Sequence, residues 1–105
     1  MKKPDPDFKN KVYALVKSIP EGKVTTYGDV ASSCGHPYAA RIIGGLAHYG
    51  PEELPWHRVV NRFGGLAAGY PGGRDTQQAH LDAEGIVVRD GTISDFALLR
   101  WTPKI

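Results

Sequence analysis

Val24-Thr25-Thr26-Tyr27-Gly28-Asp29-Val30-Ala31, the run Cys34-Gly35-His36-Pro37 and then Ala39-Ala40-Arg41-Ile42-Ile43-Gly44-Gly45-Leu46-Ala47 decide the fold. Thr25 or Thr26 can cap a short helix through Tyr27, Val30 and Ala31, because a threonine hydroxyl accepts a hydrogen bond from an N–H that the first turn leaves unpaired. The glycine and proline of the second run end that helix. The next one has Ala39, Ile42, Ile43, Leu46 and Ala47 at helical spacing as its apolar face, and Gly50-Pro51 closes it. Two short helices joined by about four residues that include glycine form the helix-turn-helix pattern, which many small helical domains share without touching DNA.

Upstream, Phe8, Val12, Leu15, Val16 and Ile19 repeat at helical spacing between an Asp5-Pro6-Asp7 start and a Pro20-Glu21-Gly22 stop, and predict an amphipathic first helix. Downstream, Leu54 to Gly73 is rich in proline and glycine and reads as loop, the kind of segment that tends to carry sites. Ala79, Leu81 and Ala83 predict a helix over Arg74 to Glu84, with Gly85 in the terminating position. Ile86-Val87-Val88 and Asp90-Gly91-Thr92-Ile93 predict a short hairpin about a type I′ turn. The apolar tail Phe96 to Trp101 fits strand or helix. The expectation is one α/β, mainly helical domain over residues 1–105, with a winged helix-turn-helix-like DNA-binding motif.

Charge and cysteine usage narrow the function classes. Thirteen basic against eleven acidic residues leave a net charge of only +2, so bulk charge does not by itself indicate nucleic acid. The basic part is the middle, where Arg58, Arg62 and Arg74 fall in a stretch without carboxylates. A lone cysteine, Cys34, cannot form an intramolecular disulfide and fits a reducing compartment, with the cytoplasm as the expected location. No stretch is long and apolar enough for a membrane span, and the N-terminus lacks the apolar run of an export signal. His36, His48, His57, His80 and Cys34 show no metal-ligand spacing, and neither metal nor cofactor is expected.

Pro55-Trp56-His57-Arg58-Val59 resembles the Pro-Cys-His-Arg-Val motif of the O6-alkylguanine-DNA alkyltransferases, with tryptophan in place of the cysteine. Further motifs follow in the family's order. Val24 to Ala31 looks like the first helix of its helix-turn-helix, and Ala40-Arg41-Ile42-Ile43-Gly44 like its recognition helix. Gly69-Tyr70-Pro71-Gly72-Gly73 resembles the loop over a flipped base, and Leu81-Asp82-Ala83-Glu84-Gly85 the helix behind the site. The resemblance runs from about Phe8 to Ile93, and the chain is similar to the family's cysteine-less subgroup, the alkyltransferase-like proteins.

That resemblance implies duplex DNA with O6-alkylguanine as the partner, approached from the minor groove by a monomer that flips the damaged base, holds it and marks it for nucleotide excision repair proteins. It assigns DNA binding to Tyr27, Ala39, Ala40, Arg41, Gly44 and Gly45, with Arg41 filling the gap in the duplex and Tyr27 pushing on the target phosphate. It builds the base pocket from Tyr27, Trp56, Val59, Tyr70 and Pro71. His57 and Glu84 correspond to a relay that activates the missing cysteine, and their expected role here is structural. Trp56 itself has no lone pair for attack, since indole offers only an N–H donor, so no catalytic residue is expected at that position. Pro71 lacks the backbone N–H that could reach O6. The competing readings are an active alkyltransferase or hydrolase using Cys34 or His57 with Glu84, and a sequence-specific regulator.

Overall fold

The computed structural model describes residues 7–67 and 69–103. Asp5 and Pro6, expected ahead of the first helix, lie outside the described residues. Helix α1 (Phe8–Lys17) buries Phe8, Val12 and Val16, and Ile19 adds a buried side chain just past its end. Strand β1 (Thr25–Thr26) leads directly into α2 (Tyr27–Ser33), where Thr26 Oγ1 accepts from the Asp29 N–H at 3.0 Å as the expected cap. A turn at Gly35 separates α2 from α3 (Ala40–Tyr49), which completes the helix-turn-helix.

The segment read as loop contains more order than its glycines and prolines suggested. Trp56–Arg58 forms a single 3-10 turn that runs into β2 (Val59–Val60), and β2 pairs in parallel with β1, Thr25 opposite Val59 and Thr26 opposite Val60. Successive strand residues point to opposite faces. Val59 accordingly joins the core cluster of α1, α2 and α3, while Val60 joins a second cluster with Val24, Leu66, Leu81, Ile86 and Ile93. The short ladder is therefore the partition between the two halves of the core.

Helix α4 (Gly73–Asp82) follows, and β3 (Val88–Arg89) with β4 (Thr92–Ile93) makes the expected hairpin. Asp90 and Gly91 both have positive φ, 52° and 76°, as a type I′ turn requires. The open question of the tail resolves as both forms in succession. Phe96–Leu99 is a short helix, α5, after which Arg100 and Trp101 run extended beside Val24, with Trp101 N–H donating to the Val24 carbonyl at 2.7 Å.

Three helix-face expectations need correction. Ile42, expected on the buried face of α3, is 39 % exposed, because Ala39, Ile43 and Ala47 already fill the contact with α2. Ala79 and Ala83 are exposed too. The face that α4 turns inward carries Leu81 and the fully buried polar Gln77.

Candidate functional site

The exposed side of α3 is built from small groups. An added Cβ at Gly44 or Gly45 would meet nothing within 4 Å, so these glycines do not serve internal packing and leave the helix surface open to a close-approaching backbone. Ala40 is half-buried, whereas Ala39 is buried and packs against the first core cluster. Arg41 is exposed on α3 and makes no hydrogen bond or ion pair among the described residues. Tyr38, 83 % exposed just before α3, is an aromatic at this surface that sequence reasoning passed over. The helix-turn-helix is braced from the tail. Arg100 holds Asp29 by two 2.9 Å hydrogen bonds, and this pairing keeps the Asp29 carboxyl below its usual range although burial opposes it.

Beside α3 lies a cavity of about 410 Å3 whose walls include Ala47, His48, Trp56, Tyr70 and Pro71. Trp56 is at once wall and core. It is 4 % exposed, meets Tyr13 edge to face at 6.0 Å, and donates its indole N–H to the Pro51 carbonyl at 3.0 Å. Gly50 is required here by close approach, since a Cβ would sit 2.3 Å from the Leu46 carbonyl oxygen and 3.1 Å from Trp56.

Tyr27 faces a neighbouring cavity of about 380 Å3, lined also by Gly44, Asn61, Tyr70 and Arg74. Its phenol is pushed up to about 12, by burial first and then by nearby Tyr70, so it stays a neutral donor. The expected pocket residues thus divide between two adjoining cavities that share Ala47 and Tyr70. Val59 lines neither. It is fully buried on the core side of β2, behind the wall to which it was assigned.

Behind the first cavity, His57 Nε2 meets Glu84 at 2.5 Å, and Arg58 grips both Glu84 oxygens at 2.8 to 3.1 Å. The Gly22 N–H adds a third partner at 3.1 Å. Burial alone would raise the Glu84 pKa, but Arg58, His57 and the Gly22 N–H outweigh it and hold the carboxyl at about 2. Arg58 also donates to the Ile19 carbonyl at 2.8 Å. This arginine, one of the three in the basic middle of the sequence, is committed internally. Gln77, also unforeseen, donates to the carbonyls of His57 and Val59 and accepts from the Ala67 N–H, tying α4 to the turn that carries Trp56. Only the glutamine's burial, not its sequence context, marks it.

Cys34 lines none of these cavities. It is buried at the end of α2, and burial pushes its thiol up against the opposing influence of Lys11, which makes it a poor nucleophile. Among the described residues no group of three or more histidine, cysteine or acidic side chains is placed to hold a metal ion.

Comparison with known proteins places this geometry in a family. The chain is 47 % identical over 103 residues to the DNA base-flipping protein of Escherichia coli, covering 96 % of this chain and 78 % of that protein. It is 37 % identical to alkyltransferase-like protein 1 of Schizosaccharomyces pombe over 88 % of each chain. The crystal structure of S. pombe Atl1 with damaged DNA containing O6-carboxymethylguanine superposes with a TM-score of 0.84 at 32 % identity, covering 96 % of this chain and all of that one. Mycobacterium tuberculosis OGT in complex with DNA superposes at 0.70 and 33 % identity, over 78 % of this chain and 51 % of that one. The family model of the DNA-binding domain of 6-O-methylguanine DNA methyltransferase matches residues 7–86, and the chain belongs to that family, on the alkyltransferase-like side where tryptophan replaces the cysteine.

Proposed function

We propose that the protein binds duplex DNA from the minor groove through α3, turns an O6-alkylated guanine out of the stack into the cavity walled by Trp56, and holds it there without alkyl transfer. The observation that carries this reading is the seat of Trp56. It occupies the family's nucleophile position on the wall of a base-sized cavity, and its one polar hydrogen is engaged by Pro51. Such a side chain offers a flat apolar face for a base or an alkyl group and no electron pair for attack. The names of the E. coli and S. pombe relatives and the lesion-bound S. pombe complex support it.

In this reading Arg41 enters the duplex and fills the gap left by the extruded nucleotide, where a guanidinium can stack and donate at once. Tyr27, Ala40, Gly44 and Gly45 shape the contact around it, while the buried Ala39 seats the start of α3 on the core; Tyr70 and Pro71 close the pocket, and His57 with Glu84 supports the wall. The minor groove carries a degenerate code, which suits a search that ignores sequence. The protein acts as a cytoplasmic monomer, and the long-lived complex it forms recruits nucleotide excision repair proteins.

A titration on matched duplexes that differ only in O6-methylguanine versus guanine tests the reading, with intact-mass analysis of the protein afterwards. The expected result is tighter lesion binding with unchanged protein mass and an intact lesion. Equal affinity for both duplexes overturns it, and a mass gain of one methyl group replaces it with the alkyltransferase.

A further inference from the structure

Tyr70 borders all three cavities described for this chain, including an outer groove of about 570 Å3 beside Glu53, His57 and Arg58. His80, on α4, borders the base cavity and that outer groove. The two side chains are joined across their loop, Tyr70 Oη to His80 Nδ1 at 2.7 Å, and the tyrosine hydroxyl has no second hydrogen bond among the described residues. Behind the pair the His80 ring rests edge to face on His57 at 5.6 Å, so its position is set from the 3-10 turn that carries Trp56. Glu52, Leu54, Tyr70 and His80 line both the base cavity and the outer groove and so stand between them, and the Tyr70–His80 hydrogen bond spans the part of that boundary the two rings form.

We propose that the Tyr70–His80 hydrogen bond is a latch between the base cavity and the outer groove, and that His80 is a positioning residue which sets how large an O6 substituent the pocket admits. This rests on the lesion-binding reading above and extends it to the class of adduct. A small substituent lies beside Trp56 with the latch closed. A long one must reach the outer groove where Tyr70 and His80 stand between the two cavities, and it does so only by parting the pair. An exposed side-chain hydrogen bond has a modest net value, so the discrimination it imposes is about two- to tenfold in affinity.

The test uses the full chain and one duplex sequence carrying guanine, O6-methylguanine or O6-hexylguanine. His80→Ala removes the ring partner; His80→Asn places an amide oxygen where Nδ1 was; Tyr70→Phe removes the hydroxyl and leaves both rings. The expected result is that His80→Ala binds the methyl lesion within about twofold of the unmodified chain and the hexyl lesion about two- to tenfold more tightly. Tyr70→Phe raises the same hexyl-to-methyl ratio, and His80→Asn restores the original one. A ratio that His80→Ala leaves unmoved or lowers overturns the latch, as does a His80→Asn variant that behaves like His80→Ala, since bulk and not the hydrogen bond would then decide. An unmodified chain that binds both lesions no better than guanine overturns the lesion-binding reading and the latch together, whereas a preserved lesion preference with an unmoved ratio overturns the latch alone.

Discussion

Arg58 holds both carboxylate oxygens of Glu84, with Nε at 3.0 and 3.1 Å and Nη2 at 2.8 Å, and its remaining amino group reaches the Ile19 carbonyl. One bidentate pair thereby fastens the end of α1, the turn bearing Trp56 and the residues after α4. Both side chains are mostly shielded from water, so the pairing is screened far less than a surface ion pair.

The pH dependence of stability follows from this pair. The Glu84 carboxyl is held at about 2 in the folded chain against an ordinary 4.5, so the folded state favours the ionised form. Its stabilisation is fully present above about pH 4.5 and is lost as pH falls towards 2. Glu84→Gln should therefore cost about 2 kcal/mol at neutral pH and progressively less on acidification. Urea unfolding of both proteins between pH 7 and 2 checks this, and a stability gap that persists unchanged at pH 2 would refute it.

Gln77→Leu keeps the side-chain volume but leaves the His57 and Val59 carbonyls and the Ala67 N–H without their partner. Each buried polar group deprived of its hydrogen bond costs about 1–3 kcal/mol, so a loss of about 2–4 kcal/mol is expected. Lesion affinity should fall with it, because the turn bearing Trp56 loses its anchor to α4. A variant as stable as the unmodified chain would show the amide to be dispensable.

Arg41→Ala should weaken binding to O6-methylguanine duplex by about 1–3 kcal/mol and binding to undamaged duplex by much less. The side chain is exposed and has no intramolecular partner among the described residues, so its removal leaves the fold unchanged. On the proposed reading its contacts form only once a nucleotide has left the stack. Equal losses on both duplexes in a fluorescence titration would reduce Arg41 to a phosphate contact.

Trp56→Cys restores sulfur to the family's motif, yet it should give weaker lesion binding and no methyl transfer. The indole is almost fully buried and bonded to Pro51, so its replacement opens a void costing about 3–5 kcal/mol, as large-to-small core changes do. A thiol set in such a space is misplaced for in-line attack, and an error of about 1 Å costs about a hundredfold in rate. Stoichiometric methylation of the new cysteine, read by peptide mass spectrometry, would contradict this.

What the sequence revealed and what it concealed divide along physical lines. The periodicity of Phe8, Val12 and Val16, the Thr26 cap and the Asp90-Gly91 turn are local signals, and each element formed where these residues predict it. The pairing of Thr25-Thr26 with Val59-Val60 is carried by no local pattern, since two residues are too few for an alternation and their partner lies over thirty positions away. The Pro-Trp-His-Arg-Val motif marked the site, but the partners of Arg58, Gln77 and His80 exist only once α4 has packed. Ile42 misled because apolar spacing identifies a face wider than the one α2 covers.

The β1–β2 ladder closes a loop that contains both helices of the helix-turn-helix, with α2 beginning directly after β1 and β2 directly following the 3-10 turn of Trp56. The cost of closing that loop is met only when the site turn is in place, so α2 and α3 are not an independent folding unit. Native-state hydrogen exchange should then show the Val60 amide and the α3 amides opening in one cooperative step. The groove-reading half and the lesion-holding half would be gained or lost together, and a fragment ending before Trp56 would have neither.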